Sequence, residues 1–223
     1  MKMFKNLSAK TIGFLLPIIL LVTTATVFYL LEKIVSPKLA YFLGFVFYWT
    51  VWCLLVPVLL MTRVEIKSLV EPNSVFFKGK NIVNILCLTL PLLFAYVYAF
   101  PRVIHSATFQ IIAASLFLAI INGTLEEFFW RGFYLKLLAS DRRLYILISS
   151  IGFAIWHFAP QLIFSNKAPG GQYSFVAFAF LLGIAFSIVA YNTKSILLVT
   201  ICHVLFDFSG LGGRIYFSQI ANN

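Results

Sequence analysis

The sequence predicts an all-α, polytopic membrane helix bundle of about seven transmembrane helices. Three observations carry this. Hydrophobic residues make up 61% of the 223, against the ~45–50% apolar content of soluble chains. Charged residues make up 11%, less than half the usual ~25%. The apolar residues fall in long continuous runs rather than the ~10-residue alternating segments of a membrane β-barrel, and the mean hydropathy is +0.97. A disordered chain, a disulfide scaffold and an ordinary soluble enzyme are excluded. Nucleic acid is excluded as a partner of the +10 net charge, because the basic residues lie in short clusters between apolar runs and form no basic face with interleaved aromatics.

Taken in order, seven segments are long enough to span: 11–31, 39–61, 81–100, 107–138, 144–160, 173–191 and 195–212. The first follows Lys2, Lys5 and Lys10. It is too long for a signal-peptide core and has no A-x-A cleavage pattern after it, so it reads as a transmembrane helix. Pro17, Pro57 and Pro91 lie inside apolar runs, where membrane helices accommodate them by local kinking. Segment 62–80 mixes polar and apolar residues and is expected to lie along the membrane surface. There is no internal repeat, and residues 1–223 read as a single membrane domain. Cys53, Cys87 and Cys202 sit in apolar runs with no disulfide or metal spacing.

Alternate connections differ in charge. One set carries Lys2, Lys5, Lys10, Arg63, Lys67, Lys78, Lys80, Lys136, Arg142, Arg143 and Lys194; the other carries Lys33, Lys38, Arg102, Lys167 and Arg214. The positive-inside rule then puts the N-terminus in the cytoplasm. An eighth span, if it fell last, would move only the C-terminus.

Six ionisable residues are left inside apolar runs: Glu126, Glu127, Arg131, His157, His203 and Asp207. Each costs ~2.5–3.5 kcal/mol at the bilayer centre, so they must face one another or a water-filled cavity. At 1.5 Å per residue, Glu126 lies roughly 18 Å from the inner end of its helix, His157 roughly 20 Å, and His203 and Asp207 roughly 12 and 18 Å. Three helices thus deliver polar groups to a similar depth, which predicts one shared site. Glu127 and Arg131 are i, i+4 with the acid first, the favourable order for a pair. Glu126 lies about 100° round the helix, with Asn122 one turn before it as a hydrogen-bond partner. His203 and Asp207 are also i, i+4. Two carboxylates in different environments are the usual way to separate a structural charge from a catalytic base. The site is expected to open to water from the cytoplasmic half, with loop 161–172 as a gate on the other side. Phe153, Trp130 and Trp156 read as packing, and His105 as inert.

In motif form these residues are EExxxR (Glu126, Glu127, Arg131), FxxxH (Phe153, His157) and HxxxD (His203, Asp207). In order and in hydrophobic context, they resemble the three motifs of the CPBP family, the CAAX-protease and bacteriocin-processing membrane proteins also called Abi proteins. The resemblance covers about residues 107–212, and the first three helices carry no matching motif. It implies a glutamate-dependent intramembrane endopeptidase of the bacterial cytoplasmic membrane, acting on a peptide or protein with a membrane-associated segment. Glu126 would activate water with help from His157. Glu127 and Arg131 would hold the helix and the first glutamate, and His203 and Asp207 would stabilise or orient the oxyanion. Many members have asparagine where this chain has Asp207, and an ionised aspartate accepts but does not donate. Asp207 must therefore be protonated or orient His203.

Other readings remain at this stage. Glu126, His157 and His203, with Asp207 available, form a possible Zn²⁺ ligand set, although there is no HExxH and no two histidines lie at i, i+4. A cysteine protease on Cys202 is disfavoured, since Cys202 and His203 point about 100° apart. The same family includes non-catalytic members acting in self-immunity to peptide toxins or as regulatory partners. A proton-coupled transporter is the third class, though the chain lacks paired broken helices in two matching halves.

Overall fold

The computed structural model describes residues 8–71, 81–166 and 170–217. Among them, seven helices are long and apolar enough to cross a membrane, and one short helix lies between the second and third. In chain order they are α1 (Ala9–Ile34), α2 (Pro37–Leu60), α3 (Arg63–Val70), α4 (Ile82–Ile104), α5 (Phe109–Leu137), α6 (Arg142–Leu162), α7 (Gly171–Thr193) and α8 (Leu197–Phe217). The seven spans match the sequence expectation. The main differences lie at the ends of α4 and α8, which run four and five residues further as short turns past Phe100 and Gly212.

Local sequence sets most of the starts. Oxygen side chains of Ser8, Thr108 and Asp141 accept from the amides of Thr11, Ile111 and Leu144 at 3.1, 3.3 and 3.0 Å. Pro37 occupies the first turn of α2, where its missing N–H costs nothing. At α3, Thr62 and Glu65 close a reciprocal capping box. The amide and hydroxyl of Thr62 hold the Glu65 carboxyl below the usual glutamate range. Its support for α3 is therefore complete above the ordinary glutamate pKa and is lost as pH falls through the lowered one. Leu69 of this surface helix is fully buried. Its carbonyl accepts from Ile196 N at 2.8 Å and Ser195 Oγ at 2.9 Å, tying α3 to the start of α8. The rest of the expected surface segment, 72–80, lies outside the described residues.

Among the described residues, backbone hydrogen bonding widens from i→i+4 to i→i+5 in three places: Tyr48–Leu55, Ala95–Ala99 and Glu127–Phe133. The first two end two residues before Pro57 and Pro101, where a wider turn accommodates the missing donor. The third has no proline after it and coincides with the EExxxR motif. Single wide turns of this kind recur at functional sites.

α6 packs along α7, joined by Ser149 Oγ and Ser187 Oγ at 2.9 Å. α5 packs along α8, and Gly123 makes the approach possible: a Cβ there would stand 2.9 Å from Val204 N and 3.0 Å from its Cγ2. Large apolar side chains such as Leu59, Phe117 and Leu181 remain exposed on the outside, as a lipid-facing surface requires. Lys10, Arg63, Lys67, Lys136, Arg142, Arg143 and Lys194 gather at one end, with Lys33, Lys38, Arg102 and Arg214 at the other. The first is called the basic end below.

Candidate active site

Five of the six intramembrane ionisable residues are joined by direct contacts. Glu127 Oε1 accepts from Arg131 Nη1 at 2.8 Å and from His203 Nδ1 at 2.7 Å. The opposite ring nitrogen, Nε2, faces Glu126 Oε2 at 3.6 Å and Asp207 Oδ1 at 3.4 Å. With carboxylate oxygens at both nitrogens, the His203 ring meets its neighbours as a two-donor imidazolium. Glu126, Glu127 and Arg131 are fully buried and His203 nearly so. Two cations are thus interleaved with three carboxylates, which is how buried charge is tolerated. The Arg131 guanidinium also lies over the Phe153 ring, 4.2 Å from its centroid.

The sixth residue, His157, lines the same cavity as Glu126, His203 and Asp207 but is held separately. Its Nδ1 lies 2.6 Å from Phe153 O. A carbonyl only accepts, so Nδ1 carries a proton, and in the neutral ring the lone pair is on Nε2. Phe153 does more than pack. Its carbonyl sets the His157 tautomer, and its ring meets both His157 and His203 edge-on, with centroids 4.8 and 5.8 Å apart.

Asn122 organises the carboxylates. Its amide donates to Glu126 Oε2 at 3.1 Å and to Asp207 Oδ2 at 2.8 Å, while its Oδ1 accepts from Trp49 Nε1 at 2.8 Å. Asp207 is therefore an acceptor on both oxygens, oriented by Asn122 and facing His203. Of the two states left open by the sequence, the geometry fits the one in which Asp207 orients His203.

Two positioning residues were not read from the sequence. Tyr48 OH donates to Glu126 Oε1 at 3.0 Å and itself accepts from Trp130 Nε1 at 2.8 Å. Tyr48 is clamped by Trp156, stacked at 3.6 Å between centroids. Trp130 is thus not mere packing; it fixes the hydroxyl that fixes the glutamate. The available signal was the run of aromatics with polar handles, Tyr48, Trp49 and Trp52, in an otherwise apolar helix. Because α2 carries no motif, only its packing against α5 makes their role visible.

The cavity measures about 590 Å³, within the ~300–1,000 Å³ of small-ligand sites. Its floor is Glu126, His203 and Phe153, and its walls are largely aromatic. On every contributing helix the lining runs from the depth of the floor away from the basic end: Trp49 to Tyr41 on α2, Glu126 to Ser115 on α5, His203 to Tyr216 on α8. Toward the basic end, Trp130, Phe133, Tyr134, Tyr145 and Phe186 are buried beneath the ion cluster. A recess of about 50 Å³ at that end includes none of the site residues. The expected opening lay toward the basic end; the structure places the cavity on the other side of the ion cluster. The inward-pointing aromatics of α5, α6 and α7 fill the half toward the basic end, a feature that depth along the helices does not reveal. Among the described residues, no group of three or more His, Cys, Asp or Glu is arranged to hold a metal ion. Cys202 does not line the cavity.

Because Gly123 sits one turn before both glutamates and against the backbone of Val204, next to His203, Gly123→Ala is expected to push α8 outward. The expected outcome is a large fall in activity, with helical content by circular dichroism unchanged.

Residues 107–209 match the family model described as type II CAAX prenyl endopeptidase Rce1-like. No curated protein matches the chain, and no solved structure does. The match spans the helices that carry EExxxR, FxxxH and HxxxD. Residues 107–209 of this polytopic membrane protein therefore form a CAAX-protease domain of the CPBP/Abi type, Rce1-like.

Proposed function

We propose that the protein is an intramembrane endopeptidase in which Glu126 activates water against a peptide bond held in the cavity. The observation that carries this is the pairing of a buried carboxylate, Glu126, with a lone-pair nitrogen, His157 Nε2, on the walls of one cavity. Glu126 takes a proton from water as the water oxygen bonds to the scissile carbonyl carbon. His157 Nε2 accepts the second water hydrogen and sets its direction. His203, charged and facing the cavity, stabilises the negative oxygen of the tetrahedral intermediate. As the C–N bond breaks, Glu126 returns its proton to the leaving amine, so atoms and charge balance. Glu127 and Arg131 hold His203 and the helix and do not touch the reacting atoms. Tyr48, Trp130 and Asn122 keep the Glu126 carboxylate in a single orientation.

The test needs no prior substrate. New peptide termini in the membrane fraction of cells expressing the wild type are compared with those of cells expressing Glu126→Gln. Termini present only with the wild type support proteolysis. Identical sets reject it and leave the non-catalytic immunity or regulatory role of the family. Once one substrate peptide is in hand, chelation is expected to leave the rate unchanged. Loss of activity restored by Zn²⁺ would instead make Glu126, His157 and His203 metal ligands.

Tyr48→Phe is expected to slow cleavage roughly 10–100-fold, the worth of a hydrogen bond to a charged group at ~1.5–3 kcal/mol. The fold should persist, since the ring and its stack on Trp156 remain. Tyr48→Phe with wild-type kcat would remove Tyr48 from the machinery.

A further inference from the structure

The direction of the cavity bears on which substrates reach the site. Apart from the floor itself, with His203 nearest the basic end, the described wall residues lie between Glu126 and the end of the bundle away from the basic cluster. The positive-inside rule places that cluster in the cytoplasm. On that assignment the cavity opens to the opposite face, while the cytoplasmic half below Glu126 is filled by buried aromatics. It is closed at its end by α3, whose Leu69 is bonded to Ser195 and Ile196.

We propose that this site takes its substrate from the non-cytoplasmic face: an extended apolar segment of a secreted or membrane-tethered peptide, cut where it meets the outer leaflet. This rests on the proteolytic reading above and narrows it, since it sets aside a lipidated C-terminus presented in the cytoplasm. The rim chemistry fits such a segment. Tyr41, Phe164, Phe175 and Tyr216 line the outer part of the cavity with aromatic surface, and Tyr41 and Phe164 meet at 5.2 Å between centroids. Rings of this kind pack apolar side chains while their polar tips tolerate the interface. An apolar segment entering there needs no charge carried across the bilayer. Its scissile bond is presented to Glu126 in extended form, since within a helix the interior carbonyls are tied into i→i+4 hydrogen bonds.

Thiol labelling tests the sidedness without any cleavage assay. Leu118 lines the cavity, about 13 Å along α5 from its start at Phe109. Gly212 lies at the rim, where an added Cβ meets nothing within 4 Å. Ser140, exposed between α5 and α6, marks the basic end. Each is replaced by cysteine in the full chain and treated in intact cells with a membrane-impermeant cationic methanethiosulfonate. The wild type, with Cys53 and Cys202 buried and Cys87 half-buried, is the blank.

Leu118→Cys and Gly212→Cys are expected to react in intact cells, and Ser140→Cys only after permeabilisation. Reaction of Gly212→Cys only after permeabilisation overturns the inference, as does a Leu118→Cys thiol that the external reagent fails to reach in a protein whose Gly212→Cys variant is labelled. The cleavage sites lost in Glu126→Gln cells supply a second readout. Sites on the cytoplasmic side of their substrates overturn the inference while leaving proteolysis intact. If no sites exist, the proteolytic reading fails, and thiol labelling still decides which face the cavity serves.

Discussion

Glu126→Gln is expected to reduce cleavage by about 10²–10⁴-fold, the range contributed by a positioned general base. The protein should still insert, purify and keep its helical content. Glutamine preserves the shape of the side chain, and its carbonyl oxygen accepts from either Tyr48 or Asn122. The remaining donor loses its partner at a cost of about 1–3 kcal/mol, and the removal of a buried negative charge works against this cost. The measurement is a single-turnover rate on a peptide identified by terminal mapping, beside a thermal transition in the same detergent. A variant that cleaves at the wild-type rate would assign the base elsewhere, with His157 Nε2 the next group to test.

Glu127→Gln, the neighbouring substitution with the same chemistry, is expected to act on the fold. Glu127 Oε1 is the single acceptor for both Arg131 Nη1 and His203 Nδ1, and all three residues are buried. Removing its charge leaves Arg131 without its paired carboxylate, against the faces of Phe153 and Phe186. Breaking a buried pair from one side costs about 3–5 kcal/mol, so the thermal transition should fall sharply, together with expression and activity. Glu127→Gln combined with Arg131→Met should regain much of the stability, because no lone charge remains. It should not regain activity, because His203 loses its anchor. Equal stability of Glu127→Gln and the wild type would contradict this account of the cluster.

The contrast between adjacent glutamates shows how far the sequence could be read. That Glu127 pairs with Arg131, that Asn122 reaches Glu126, and that α5 and α8 bring their polar residues to one depth all follow from helical spacing and rise. Those are properties of single helices, and they survived intact. What did not follow was anything decided between helices. Tyr48 and Trp49 lie 78 and 73 positions from their partners Glu126 and Asn122, and no periodicity links residues that far apart. The end of the bundle toward which the cavity opens is hidden from the sequence for the same reason. Depth along a helix says how far a residue is from each end, but only the size of the side chains facing inward says which end is blocked. Trp130, Tyr134 and Tyr145 are apolar in composition and ambiguous in role until their neighbours are known.

The bond between Tyr48 and Glu126 also constrains the order in which the chain enters the bilayer. α5 emerges carrying Glu126, Glu127 and Arg131, each costing ~2.5–3.5 kcal/mol in lipid on the insertion scale. His203, which completes the cluster, is made more than seventy residues later. During that interval Arg131 can neutralise Glu127 within the helix, but Glu126 has only Asn122 and whatever was inserted earlier. Tyr48, already in the membrane on α2, meets that need. The N-terminal helices, which lie outside the matched region 107–209, would thus offer a receiving surface to α5 as it emerges. A chain begun at residue 107 would present the same motifs to the insertion machinery with Glu126 short of its hydroxyl donor, and it would be retained poorly in the membrane even though every family motif was present.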